Sequence, residues 1–310
     1  MLSSLFTRRW RPLWIGLSAL VLFTVAFSFP PVRAWAGSLL AQFRVQNITV
    51  VPVDATHLSE LGTSSTIIQQ ISQAISDSMT VTKKPMKPQV APNAAEAGKL
   101  AGFTVRLPQS RTDAPRITVE GGSAFEFVVN RARAQALLNE AGFSQPQLPA
   151  SIDKAVIKVN IPVGITAAYG DCPNLDEGTT TMNASGSAGR RFLNCVLLAE
   201  IPSPTVDTPP NVDVEQLAEI GLQFTGMSPE DAHAYSATVD WASTLVVPIP
   251  RNGASYKQVG VDGVTGYLIQ RPVDDAPQYV LVWVKSGIIY AIGGLGNGAD
   301  NALAMANSLK

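Results

Sequence analysis

The chain of 310 residues carries a formal net charge of −1, and only 15% of its residues are charged. That balance offers no basic footprint for nucleic acid. With 46% hydrophobic residues the chain can bury a real core, so disorder is not its default state, and the length allows one or two domains.

The opening, MLSSLFTRRWRPLWIGLSALVLFTVAFSFPPVRAWAG, sets the compartment. Arg8, Arg9 and Arg11 precede a charge-free run from Pro12 to Val32, which Arg33 ends. Roughly 20 residues at ~1.5 Å each reach about 30 Å, the thickness of a hydrocarbon core. Three arginines before the run and one after it favour an inside N-terminus and an outside body. A signal peptide has the same polarity, and Ala34-Trp35-Ala36 before Gly37 is a small-x-small cleavage site. The run is longer than a typical signal core, so a retained anchor is the first reading and cleavage near Ala36 the alternative. Either one exports the body.

SLLAQF, Ser38 to Phe43, reads as a short amphipathic continuation, and VQNITVVPVD as a strand. Ile68, Ile71, Ile75 and Met79 then recur near helical spacing. VTKKPMKPQVAPNAAEAG, with three prolines and few large apolar residues, reads as a linker or loosely packed loop. Next come a short helix, AAEAGKLAGF, closing on Gly102, and a strand, FTVRLP. In ITVEGGSAFEFVVNRARAQALLNEAGF the expectation is a strand, a glycine turn and a helix over Ser123–Glu140, stopped by Gly142. KAVIKVNIP and GITAAYG read as two extended runs, separated from NCVLLAEIPSP by a polar insert.

DVEQLAEIGLQFTG is an amphipathic helix, and MSPEDAHAYSATV a shorter one with Ser228 as N-cap, Pro229 at N1 and Asp231 at N3. STLVVPIP is a strand. YKQVGVDGVTGYLIQ and YVLVWVKSGIIYAIGG read as hairpins, the second apolar enough to be buried in part on both faces. NALAMANSLK closes as a helix. Strands joined mainly by hairpins, with helices in groups, make an α+β pattern: a single N-terminal transmembrane helix followed by a largely antiparallel sheet with packed helices. Residues 1–37 form the N-terminus and anchor or signal segment, 38–95 a membrane-proximal strand, helix and linker, and 96–310 the extracytoplasmic domain.

Chemistry-bearing residues are sparse. Cys172 and Cys195 are the whole cysteine complement. An exported chain favours a disulfide between them, worth about 3 kcal/mol, over two buried thiols. His57 and His233 are the two histidines, each near an acid but outside any catalytic or metal-binding pattern. Asp171, Asp176 and Glu177 lie in the polar insert without the spacing of a calcium loop. No serine sits in a nucleophile motif. Gly293, Gly294, Gly296 and Gly298 read as a bend between the last strand and helix, not a phosphate cradle. Arg131, Arg133, Arg190 and Arg191 are scattered pairs, too few for a nucleic-acid groove. Trp241, Trp283 and Tyr290 read first as core and second as a ligand cleft. No catalytic residue, cofactor or metal is expected.

The ending carries a resemblance. Trp283, Gly287, Ile288 and Tyr290 in a hairpin, then Ala306, Ser308 and Leu309 closing a helix, resemble the C-terminal signature of the DUF4367 family. Phe43-Arg44-Val45-Gln46 resembles the stretch just outside the membrane in bacterial anti-sigma-factor-like proteins. The resemblance implies an extracytoplasmic domain with Trp283, Gly287, Tyr290 and Ser308 as signature core. Only about 11 residues precede the span and no HxxxCxxC pattern is present, so the sigma-binding part of that plan is missing. The leading expectation is a non-enzymatic, membrane-tethered sensing or regulatory domain whose partners are the membrane and an envelope regulatory protein. A binding module for an apolar or cell-wall ligand is the alternative, and an exported hydrolase ranks below both.

Overall fold

A computed structural model describes residues 43–53, 65–140, 142–143, 146–172, 194–251, 253–272, 277–296 and 298–310. The chain divides into two compact units, Met1–Gln42 and Phe43–Lys310, and every described residue belongs to the second. The expected membrane span therefore lies outside the described residues, among which no helix is long and apolar enough to cross a membrane.

The architecture is α+β with a largely antiparallel sheet. Its spine is β6, Val156–Gly170, 15 residues long. On one side β6 pairs along its length with β5, Arg116–Val128. On the other side it pairs with two strands in turn: β7, Cys195–Pro202, along residues 165–170, and β8, Thr205–Asp207, along 158–160. From β7 the sheet continues through β13 (Ile288–Leu295), β12 (Gln278–Lys285), β11 (Val264–Arg271) and β10 (Ser255–Val261). From β8 it continues to β1, Phe43–Arg44. A second sheet of two strands pairs β2, Asn47–Val53, with β9, Thr244–Pro250, in parallel.

KAVIKVNIP and GITAAYG are thus one strand, because β5 gives both runs the same partner. β5 itself overturns an expectation. Gly121 and Gly122 take φ values of +96° and +73°, but they kink a continuing strand instead of turning into a helix. Gly121 pairs with Val163 and Ser123 with Ile161, and the alternating Phe125-Glu126-Phe127 goes on pairing to Val128. The helix α3 starts only at Arg131 and ends at Glu140. Apolar residues at Phe125, Val128 and Val129 satisfied a helical count by coincidence; long antiparallel pairing decided the outcome.

The supposed linker is also structured. After α1 (Ser65–Ser78), β3 (Met79–Lys83) and β4 (Met86–Ala91) pair antiparallel with opposite halves of β5. Lys83, Lys87 and Pro88 fall on these outer strands, with Lys84 and Pro85 between them, and charge and missing N–H donors there hinder pairing with another chain. FTVRLP, by contrast, is not a strand. It runs as irregular chain from α2 (Ala94–Ala101) to an isolated bridge between Pro108 and Leu309.

One face of the sheet packs the main core. Ile165, Ala167 and Tyr169 of β6, Leu198 of β7, Tyr290 and Ile292 of β13, and Leu281 and Trp283 of β12 meet Ala97 of α2. Ala302, Met305 and Ala306 of the final helix α6, Ala299–Asn307, complete it. Val282 and Val284, on the opposite face of β12, are buried too, so this strand is covered on both sides. A second cluster joins Val129, Leu148 and Ile152 to Ile220 of α4, Val214–Phe224. A third sets Val51 and Val53 of β2 against Leu222 of α4 and Ala232 of α5, Pro229–Ser236.

The caps are local. Asn93 accepts from Glu96 N–H at 2.9 Å and Asp213 from Gln216 N–H at 3.0 Å. Ser228 Oγ accepts from Asp231 N–H at 3.1 Å, with Pro229 at the first turn, as its sequence position requires.

Cys172 and Cys195 form a disulfide with Cα atoms 4.7 Å apart. It closes the β6–β7 connection beside Gly170, whose φ of +78° and 2.0 Å approach of an added Cβ to Asn194 O leave no room for a side chain. Replacing both cysteines by serine should lower stability by about 3 kcal/mol, from the lost loop-closure constraint. Urea unfolding of the oxidised chain against the double variant measures this.

Candidate functional site: a buried acid beneath a chain clasp

Strand register lines up one lateral row on the inner face. Ile165 of β6 stands opposite Glu200 of β7, Glu200 opposite Tyr290 of β13, Tyr290 opposite Trp283 of β12, and Trp283 opposite Gly266 of β11. Glu200 is 0% exposed, a carboxyl in the middle of an apolar row. The Trp283 and Tyr290 rings stack with centroids 5.2 Å apart. Gly266 is required there, since a Cβ would lie 2.9 Å from Trp283 Cβ and 2.8 Å from Val282 O. Among the described residues, the buried Trp283 Nε1 has no hydrogen-bond partner.

The irregular segment after α2 lies over this row. Arg106 N–H donates to both Glu200 oxygens, at 3.1 and 3.2 Å. The Arg106 guanidinium turns away: it donates through both terminal nitrogens to Asp262 and, at 2.8 Å, to Leu309 O, and sits 5.6 Å from the Tyr290 ring centre. Lys285 Nζ reaches the same Asp262, 2.7 Å from Oδ1 and 2.6 Å from its carbonyl. Asp262 occupies the β10–β11 turn at φ +51°, followed by Gly263 at +79°, and its N–H donates to Asn307 Oδ1. Two backbone bonds between Leu107 and Lys310, and one from Gln109 N–H to Ser308 O, clasp the end of the chain to the same segment.

These surroundings set the charges. Burial pushes the Glu200 carboxyl up to about 8, and the Arg106 N–H and guanidinium offset only part of that. Burial would also raise Asp262, but hydrogen bonds from Arg106 and Lys285 outweigh it and hold that carboxyl below the usual range. The pair with Asp262 raises Arg106 above its ordinary value. Burial pushes the Tyr169 phenol to about 12. At neutral pH the site therefore holds one proton on an acid sealed from solvent, and charged groups at its rim.

The signature residues gather here in part. Trp283 and Tyr290 stack within the row; Gly287, at φ +74°, follows Ser286 in the two-residue β12–β13 turn. Ser308 ends α6, donating to Met305 O at 2.9 Å and accepting from Ser110 N–H at 3.1 Å. Trp241 is elsewhere, donating to Ser236 O at 3.0 Å in the third cluster. Gly294 and Gly298 lie against Tyr279: a Cβ at either would fall 2.6 or 2.7 Å from its hydroxyl. Their glycine content thus serves packing as well as the bend.

His233 is exposed on α5, its Nδ1 3.2 Å from Glu219 Oε2. Arg131 donates to Leu148 O and Arg133 to Asp77. His57, Asp176, Glu177, Arg190 and Arg191 lie outside the described residues, and Asp171 follows β6 at the surface. A separate open groove of about 620 Å³ runs beside α2, lined by Ala94, Ala95, Gly98, Lys99, Phe103 and Val105 among others.

Neither Glu200 nor Arg106 stands out by motif. The available signal was alternation: in CVLLAEIP, Glu200 falls in phase with inward Leu198, an acid where the pattern demands an apolar residue.

Asp262→Asn retains a residue that tolerates the turn but removes the charge facing Arg106 and Lys285. The expected loss is about 2–3 kcal/mol, at the low end for a broken buried pair because the Lys285 side chain is 35% exposed. Gly298→Ala should destabilise by about 1–3 kcal/mol by displacing the Tyr279 ring. Thermal and urea unfolding measure both.

No family model, curated protein or solved structure matches this chain, so its functional reading rests on its own residues.

Proposed function

We propose that the chain is a non-enzymatic, membrane-tethered extracytoplasmic domain with a sensing or regulatory role. The observation that carries the reading is the Cys172–Cys195 disulfide, a bond characteristic of oxidising compartments. It agrees with the polarity of the opening stretch, with arginines before a span-length apolar run and the body after it. The likeness of Trp283, Gly287, Tyr290 and Ser308 to the DUF4367 signature points to the same compartment and role. The partners on this reading are the membrane and an envelope regulatory protein.

A filled core beneath the final hairpins, with Leu281, Trp283 and Ile292 all 0% exposed, weighs against an apolar ligand cleft at that place. The groove beside α2 is what favours the second reading, a tethered or secreted binding module, since Ala94, Phe103 and Val105 give it apolar walls.

The test is N-terminal sequencing of the mature chain from fractionated cells, with external protease applied to intact and opened cells. An uncleaved N-terminus in the membrane fraction, with a body digested from outside, is expected. A mature start at Gly37 in the soluble exported fraction would replace the tether by secretion. A body protected in intact cells would overturn both. For the regulatory role, deletion of the gene should change the output of an envelope regulator; unchanged output across envelope stresses would count against it.

A further inference from the structure

Glu200 sits where the fold offers an anion little. Among the described residues its oxygens share one donor, the Arg106 backbone N–H, and its side chain is wholly removed from water. The elements around it bring few charges to its aid. From the segment above comes Arg106, whose terminal nitrogens are engaged by Asp262 and Leu309 O. From β12 comes Lys285, also bound to Asp262. Tyr290 of β13 and Tyr169 of β6 are buried phenols, and Asp262 itself is an anion. A proton on Glu200 therefore suits the closed site, and an ionised Glu200 would be a sealed charge with one shared hydrogen bond.

The element resting on Glu200 is irregular chain, held to the core by Val105. The segment from Phe103 to Leu107 belongs to no strand, and Pro108 makes only an isolated bridge to Leu309. Its anchors are the packing of Phe103, Val105 and Leu107 on the core, the Arg106 N–H on Glu200, the Arg106–Asp262 pair and the backbone bonds to residues 308–310. We propose that Glu200 is a proton-operated latch. Protonated, it seats the segment of Arg106 and its clasp with the chain end; ionised, it favours a state in which that segment lifts and the carboxylate meets water. Alkalinity is then the signal to which this domain responds. The inference goes beyond the tethered-domain reading and does not depend on it.

The direction follows from proton binding. The closed carboxyl keeps its proton up to about pH 8, whereas an exposed one loses it near 4.5. Between those values opening releases a proton, so the open fraction should rise about tenfold per pH unit, with no further pH dependence below 4.5 or above 8. Amide hydrogen exchange on the full-length chain reads this directly. Exchange is itself base-catalysed, rising about tenfold per unit with an unchanged opening equilibrium. The Arg106, Leu107 and Gln109 amides should therefore show a logarithmic slope near two between pH 5 and 8 and near one above it. Amides of α4 and α5 should keep a slope near one throughout.

Glu200→Gln, uncharged and of the same shape, should return the clasp amides to a slope near one. A slope of two that survives this substitution overturns the latch. A slope of two shared by α4 and α5 overturns it as well, because ionisation would then loosen the whole fold and not the clasp. If the variant fails to fold, carbon NMR titration of the Glu200 carboxyl in the unsubstituted chain decides. A midpoint near 8 supports the latch, and one below 6 overturns it.

Discussion

The fold depends on a single long strand having partners on both sides. β6 runs for 15 residues, and β5 follows it from Arg116–Ala168 to Val128–Val156. Because the other edge of β6 is shared by β7 and β8, the sheet forks there, one branch running to β10 and the other to β1. Side chains alternate across a strand, so this pairing also sets which residues face inward on every strand that follows. A slip of one residue along β6 would exchange Ile165, Ala167 and Tyr169 for their outward neighbours.

The same alternation places a carboxyl in the core. Glu200 is bound into the row by β6 and β13, flanked there by Ile165 and Tyr290, and the segment of Arg106 lies over it. The compensation for this burial is neutralisation by a proton, not an ion pair. The ion pairs gather a short distance away on Asp262, which takes both Arg106 and Lys285 at the edge of the core. Two electrostatic solutions therefore stand side by side: a hidden acid kept neutral and an ion-paired carboxylate kept charged.

Legibility in the sequence tracked the range of the interactions. YVLVWVK reads as an apolar strand whatever surrounds it, and burial on both faces of β12 agrees. AFEFVVN reads as helix because Phe125, Val128 and Val129 fit that period, yet Phe125-Glu126-Phe127 also alternates, and pairing with residues 157–159 makes it strand. KKPMKP resembled a linker because prolines and lysines are common to loops and to protected sheet edges. The candidate site was the least legible part, because its central contact joins Arg106 to Glu200 across 94 positions.

By itself, the sequence determined the features whose partners lie within a few residues. These are the cap at Ser228, the two-residue turns at Asp262-Gly263 and Ser286-Gly287, and the amphipathic face of α4. Local hydrogen bonds and steric limits suffice for them. Tertiary structure alone decided that β2 and β9 pair in parallel, that β3 and β4 complete an edge, and that Glu200 lies dry beneath Arg106. Those outcomes depend on which distant surfaces exclude water from one another, and a buried carboxyl takes its proton from that exclusion, not from its neighbours in the chain.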